Sequence, residues 1–141
     1  MKQSQIATII AIEAHDGQTR RGGELYINHP ATVVSTLKNE SDEIKAAAWL
    51  HDVCEDSDTT PKHLRERGIN SRVIRLVKIL TKKKGSPYHD YLLGFRGEKD
   101  ARKIKKADIF HNLSDDPTEK QKLKYGLALR YLNFLDFAER P

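Results

Sequence analysis

Six consecutive residues near the middle of the chain, His51, Asp52, Val53, Cys54, Glu55 and Asp56, place one imidazole and three carboxylates side by side. They close an otherwise apolar stretch through Ile44, Ala46, Ala47, Ala48, Trp49 and Leu50. If one helix runs from about Asp42 to Asp56, a turn of 100° per residue gathers His51, Asp52, Glu55 and Asp56 on about 140° of its circumference, with Val53 and Cys54 opposite. Carboxylates drawn out of water cost several kcal/mol each, and negative charge at a helix C-terminus opposes the macrodipole. Something positive must compensate. A divalent cation is the natural candidate, because buried charges are normally paired or bound to metal.

A solvated helix end would carry the same letters, but two further features favour a site. His29 stands directly before Pro30 at a helix entry, and Asp108 lies in Lys106-Ala107-Asp108-Ile109-Phe110-His111-Asn112. Imidazoles and carboxylates from three separated segments suit a single ion of mixed nitrogen and oxygen ligation. Arg20 and Arg21 add forked donors for a phosphate, or planar cations for a purine face. Such a set suits hydrolysis of a phosphate ester or anhydride, which needs a cation on the phosphoryl oxygens and a nucleophile stronger than neutral water. Glu55 or Asp56 could order that water or take its proton.

The elements that must position these residues read as helices, since no sustained alternation of apolar and polar residues marks a half-buried strand. Ile6, Ile9, Ile10 and Glu13 outline a first helix over about 4–16, ended by Gly17, and the Gly-rich loop 19–29 follows. Pro30 restarts a helix buried through Val33, Val34 and Leu37. After the central helix come Thr60-Pro61 as a cap closed by Gly68, an apolar helix from Val73 to Leu80, and a Ser86-Pro87 cap before Tyr88, Tyr91, Leu92 and Leu93. A helix over 99–113 and a last one capped by Thr118, with Leu123, Leu127, Tyr131 and Leu135 on one stripe, complete the chain. The expectation is an all-α single domain, residues 1–141, of about eight helices.

The 141 residues and 38% hydrophobic content allow one core and leave little room for a second domain. No apolar run approaches a membrane span, no signal peptide opens the chain, and the lone Cys54 cannot form an internal disulfide. The expected setting is cytoplasmic. Twenty-five Lys and Arg against 20 Asp and Glu leave a net charge of +5, which favours an anionic partner.

The same residues resemble the HD phosphohydrolase superfamily, all-α metal-dependent hydrolases with an H…HD…D signature, here His29, His51-Asp52 and Asp108. The runs AHDGQTRRGGELYINHP, AAAWLHDVCEDSDTT and KKADIFHNLSD are similar to the hydrolase domain of RelA/SpoT proteins and of the small stand-alone alarmone hydrolases, a resemblance spanning residues 5–116. It implies His29, His51, Asp52 and Asp108 as ligands of one divalent metal, with manganese (Mn2+) the usual ion. It implies Glu55 and Asp56 as the catalytic acidic pair, and Arg20, Arg21, Tyr26 and Asn112 as substrate-binding residues. The implied reaction removes the 3′-pyrophosphate of guanosine 3′,5′-bis(diphosphate), ppGpp, giving GDP and pyrophosphate. Departures from the family pattern cluster beside the nucleotide: Arg21 for Lys, Gly22 and Leu25 for a small polar residue and Pro, Ile109 for a basic residue, and Ser114 for Arg.

Lys82 to Lys84, Lys99, Arg102, Lys103, Lys105 and Lys106 read as a solvated face rather than a nucleic-acid surface, because no aromatics interleave with them. The same residues could instead rim the pocket and steer an anionic nucleotide, with Lys105 and Lys106, one turn before Asp108, the best candidates. His15 is either structural or part of the family pattern, His63 is a surface residue, His89 could reach the site, and Cys54 belongs to the core. Three functions remain open: alarmone hydrolysis, hydrolysis of another nucleotide, and non-catalytic nucleotide binding. The expected partner is a small-molecule nucleotide, with no membrane, no nucleic acid, and a homo-oligomer compatible with the sequence.

Overall fold

Buried apolar faces dictate how the chain packs. In the computed structural model, which describes residues 1–141, nine helices enclose one core of 26 buried hydrophobic side chains. They are α1 (Gln3–Ala14), α2 (Asn28–Ser35), α3 (Asp42–Trp49), α4 (Val53–Asp56), α5 (Pro61–Glu66), α6 (Ser71–Leu80), α7 (Tyr88–Leu93), α8 (Lys99–Ser114) and α9 (Glu119–Ala138). There is no strand, only an isolated bridge between Thr19 and Leu25. No helix is long and apolar enough to cross a membrane.

The ninth helix arises where the sequence reading expected continuity. The central helix stops at Leu50, and α4 restarts at Val53. The end is held locally: the Ala48 carbonyl accepts from the His51 ring at 2.7 Å as well as from the His51 backbone N–H at 3.4 Å. The break turns His51 and Asp52 to the same side, which a continuous helix would have separated by about 100°. α3 packs against α1, α2, α6 and α8. Its Ala46, Ala47 and Ala48 let these neighbours approach closely, and each apolar side chain they bury completely contributes about 1.5–3 kcal/mol.

Side-chain caps fix the helix starts that the sequence marks. Ser41 accepts from the Ile44 N–H, Asn70 from Val73, Thr60 from His63 and Thr118 from Gln121. The Thr60 N–H in turn donates to the His63 ring Nδ1, completing a capping box at the surface. The Ser86-Pro87 pair behaves differently from expectation: Pro87 itself is the N-cap, and the Ser86 hydroxyl donates to the Lys83 carbonyl.

Two apolar faces also shift from expectation. α1 buries Ala7, Ile10 and Ala11, leaving Ile9 exposed. α9 turns Ala128, Leu132 and Leu135 to the core, so Leu123 and Leu127 face solvent. α9 also carries partners of Arg102 on α8, a residue expected on a solvated face but only 2% exposed. Arg102 donates to Asp136 (2.7 Å), Glu139 (2.7 Å) and the Phe95 carbonyl (2.9 Å), and the first two contacts tie α9 to α8. Lys106 joins Asp136 from the other side, away from the candidate site.

Candidate metal centre

The break after α3, the first turn of α2 and the middle of α8 meet at one point. His29, His51, Asp52 and Asp108 each offer a ligand atom there, all within 4.8 Å of one another. One ion with bonds of roughly 2.0–2.6 Å can bridge that span. His29 Nε2 lies 2.8 Å from Asp108 Oδ1 and 3.2 Å from His51 Nε2, and His51 Nε2 lies 3.0 Å from Asp52 Oδ2. His29, His51 and Asp108 are buried, and Asp52 nearly so.

The donor chemistry fits a divalent cation. His51 Nδ1 faces the Ala48 carbonyl, which can only accept, so Nδ1 keeps a proton and Nε2 is the nitrogen turned to the cluster, free to exchange its proton for an ion. Asp108 turns Oδ1 to the two imidazoles and gives Oδ2 to the Lys105 ammonium at 3.0 Å. Asp52 Oδ2 accepts from the Tyr26 hydroxyl at 2.6 Å. Each inward ligand is therefore oriented by a partner behind it, as metal ligands commonly are.

Electrostatics point the same way. Burial alone would lower the His51 imidazole, but Asp52 and Asp108 outweigh it and raise it well above its usual value. Burial would raise Asp52, but His51 beside it holds the carboxyl down at about 2. Asp108 falls well below the carboxylate range because Lys105 and His51 overcome its burial. Two carboxylates at one buried point thus recruit whatever positive charge is available, a proton included, and a divalent ion answers the same demand.

The cluster forms the floor of a pocket of about 830 Å³, a volume suited to a small-molecule ligand. Glu55 and Asp56 line it from α4. Crowding by the surrounding protein raises both carboxyls above their ordinary values, with Asp52 adding to the effect; the Lys82 backbone N–H, which donates to Glu55, opposes it there. Burial also raises the Tyr26 hydroxyl, and Asp52 reinforces that shift, so Tyr26 serves as a neutral donor.

Arg20 and Arg21 reach the same pocket from the loop between α1 and α2. That loop is a tight turn in which Gly23 adopts φ +88°, a conformation open to glycine at little cost. Arg20 donates to Asp115 (3.0 Å) and Asn112 (3.2 Å), and Asn112 in turn donates to Asp108 (3.2 Å). Arg21 is more exposed and contacts Asp116.

Every site residue expected from the sequence lines this pocket except His51, which lies just beneath it. Lys106 does not, being held by Asp136, and His89 lies exposed beside Asp90 on α7. Cys54 is half-buried against the core. Sequence reasoning missed His111, whose Nδ1 meets His29 Nδ1, and the Tyr88, Tyr91, Lys124 and Tyr125 part of a cationic and aromatic wall that Lys82 joins, one of the lysines expected as a possible rim. His111 had a signal: it lies three residues after Asp108 and shares its helix face. The tyrosines and Lys124 had none, because Tyr88 and Tyr91 on α7 lie more than thirty residues before Lys124 and Tyr125 on α9.

Residues 7–120 match the HD domain family model. The chain is 41% identical over 76 residues to a guanosine-3′,5′-bis(diphosphate) 3′-pyrophosphohydrolase of Vibrio cholerae, covering 52% of this chain and 11% of the relative. It is 33% identical over 143 residues to the putative GTP diphosphokinase RSH1, chloroplastic, of Oryza sativa subsp. japonica, covering 87% of this chain and 16% of the relative. It is 39% identical over 83 residues to guanosine-3′,5′-bis(diphosphate) 3′-pyrophosphohydrolase MESH1 of Danio rerio, covering 55% and 46%. The chain thus spans less than half the length of these relatives. A solved structure described as a metazoan ortholog of SpoT that hydrolyzes ppGpp shares the fold, with a TM-score of 0.79 at 23% identity, covering 96% of this chain and 85% of that one.

Proposed function

Because the chain belongs to the HD domain family, we propose that it is a metal-dependent phosphohydrolase that removes the 3′-pyrophosphate of guanosine 3′,5′-bis(diphosphate), with manganese as its ion. The observation that carries this reading is the coincidence of two sets in one pocket: four converging ligands on its floor, and two unspent carboxylates, Glu55 and Asp56, beside them. A purely binding domain has no need of the second set. The names of the Vibrio cholerae and Danio rerio relatives supply the substrate class.

His29, His51, Asp52 and Asp108 would hold the ion. Once bound, a divalent cation supplies charge to neutralise phosphoryl oxygens and lowers the cost of forming a nucleophile from water. Glu55 and Asp56, raised above the usual carboxyl range, are poised to take a proton from the attacking water and return one to the departing pyrophosphate. Arg20 and Asn112 hold the nucleoside end, with Arg21 and Tyr26 completing that wall. Lys105 acts through Asp108, keeping its carboxylate ionised and turned inward.

The test is a panel of purine nucleotides incubated with the chain, with and without manganese, and resolved by product chromatography. Release of pyrophosphate and GDP from the 3′,5′-bis(diphosphate), dependent on the ion, is the expected result. Cleavage of another nucleotide instead moves the substrate assignment. No cleavage of any member favours nucleotide binding without catalysis.

A further inference from the structure

We propose that Lys82, Lys124 and the Tyr88 hydroxyl form a second phosphate subsite in the pocket, which takes the substrate's 5′-phosphate chain while the 3′ group lies at the metal centre. The proposal deepens the nucleotide reading above and rests on it.

The pocket's cations are unequally satisfied. Arg20 and Arg21 already have Asp115 and Asp116 as partners, and Lys105 has Asp108. Lys124 lines the same pocket and makes no ion pair or hydrogen bond. Its ammonium stands 4.8 Å from the ring centres of both Tyr88 and Tyr125. The Lys82 ammonium meets only the Lys83 carbonyl, at 3.4 Å. The uncompensated positive charge of the pocket therefore sits at Lys82 and Lys124.

Two further observations favour an anion there. The Tyr88 hydroxyl is buried without a hydrogen-bond partner, which normally costs about 1–3 kcal/mol unless a ligand or water completes it. The Lys124 ammonium is pushed below its usual value by crowding and then by Lys105 and Lys82 nearby, the strain of like charges lacking a counter-ion. A phosphate chain relieves both, accepting from the hydroxyl and pairing with the ammonium groups. The aromatic rings on either side of Lys124 narrow where its head can go, so the charge is aimed rather than merely present.

The roles of the two ends then differ. A nucleotide phosphorylated at one end fills only one subsite, whereas a 3′,5′-bis(phosphate) spans both, so the wall selects doubly phosphorylated substrates.

Calorimetric titration with guanosine 5′-diphosphate and with guanosine tests this, because only the first carries the 5′ chain. The parent is expected to prefer the diphosphate. Lys124→Met and Lys82→Met should each cut the affinity ratio of diphosphate to nucleoside by about 10- to 100-fold, the range for a hydrogen bond to a charged group. Lys124→Arg should recover most of it. Lys124 is exposed, so its loss leaves the core intact, and a thermal melt checks that. A ratio near one in the parent, or a ratio unmoved in both methionine variants, overturns the subsite. If the ratio behaves as expected but the bis(diphosphate) is never hydrolysed, the hydrolase reading fails and the subsite stands.

Discussion

Nδ1 of His29 stands 2.6 Å from Nδ1 of His111, with the two rings stacked 4.9 Å apart and 14° from parallel. Two like nitrogens at that distance need one proton between them. Burial, with His29 and Arg20 nearby, lowers the His111 imidazole, making it the neutral acceptor and His29 Nδ1 the donor. With His29 Nδ1 as donor, Nε2, which meets Asp108 at 2.8 Å, is the nitrogen free to exchange its proton for an ion. His111→Ala should weaken divalent-metal affinity by about 10- to 100-fold, the usual effect of removing a group that orients a ligand. His111→Gln, which can still accept, should recover part of it. Equilibrium dialysis with elemental analysis measures both, and equal affinity in the alanine variant and the parent removes the orienting role.

His51 holds the two carboxylates together, so its loss should be felt twice. His51→Ala is expected to bind no manganese. It should also destabilise the metal-free chain by about 3–5 kcal/mol, since Asp52 and Asp108 would be left as partly uncompensated buried charges. Chelator treatment of the parent should lower its melting temperature, and manganese should restore it. A variant that melts like the metal-free parent would contradict the electrostatic account.

Much of this arrangement was legible in the sequence because helical period, caps and glycines are local signals. His29, His51, Asp52, Glu55, Asp56 and Asp108 stood out by residue type and spacing, the family resemblance divided them into ligands and an acidic pair and added Arg20, and the structure brings them together. The break after Leu50 was not legible: the run from Ile44 to Cys54 is apolar enough to continue as a helix, and what ends it is a ring-to-carbonyl bond from His51. Arg102 was misread for the opposite reason. A charged residue among lysines reads as solvated, and its partners Asp136 and Glu139 lie over thirty residues away.

That buried cation makes a prediction about stability alone. Burial would raise the Asp136 carboxyl, but hydrogen bonds from Lys106 and Arg102 outweigh it and hold it below its ordinary value. A carboxyl depressed in the folded state contributes stability that is complete above its unfolded value, near pH 4, and is lost as pH falls through the folded one. Asp136→Asn should therefore cost about 3 kcal/mol at neutral pH. It should also flatten the decline of stability below about pH 4. Urea titrations across pH 2.5–7 read both effects, and a variant with the parent's acid slope would assign that slope elsewhere.

Arg20 and Arg21 should separate on mutation. Arg20 is tied to Asn112 and through it to Asp108, whereas Arg21 projects outward and contacts only Asp116. Arg21→Ala should raise KM for the nucleotide with little change in kcat, the mark of binding shared by ground and transition states. Arg20→Ala should raise KM further and also lower kcat, because Asn112 and Asp108 lose a constraint. Metal content should hold in both. Identical kinetic changes in the two variants would argue that they act as one undifferentiated charge.

Glu55 and Asp56 line the open side of the centre and are absent from the converging ligand set, so they can act on water without completing a metal shell. Their anchors differ. Glu55 accepts from the Lys82 backbone N–H, whereas Asp56 lies near Tyr26 and its backbone carbonyl accepts from Gln18 at 2.8 Å. Glu55→Gln and Asp56→Asn keep shape and most hydrogen bonding while removing the proton acceptor. Each should retain metal and nucleotide affinity yet lose about 10² to 10⁴ in kcat, the usual worth of a positioned acid or base. Raised carboxyl values place the titration of kcat above the ordinary carboxylate range in the parent, and the more essential of the two variants should lose that limb of the pH profile. Metal lost along with activity would make the mutated residue a ligand, and full activity in both variants would move proton transfer to another group on the pocket wall.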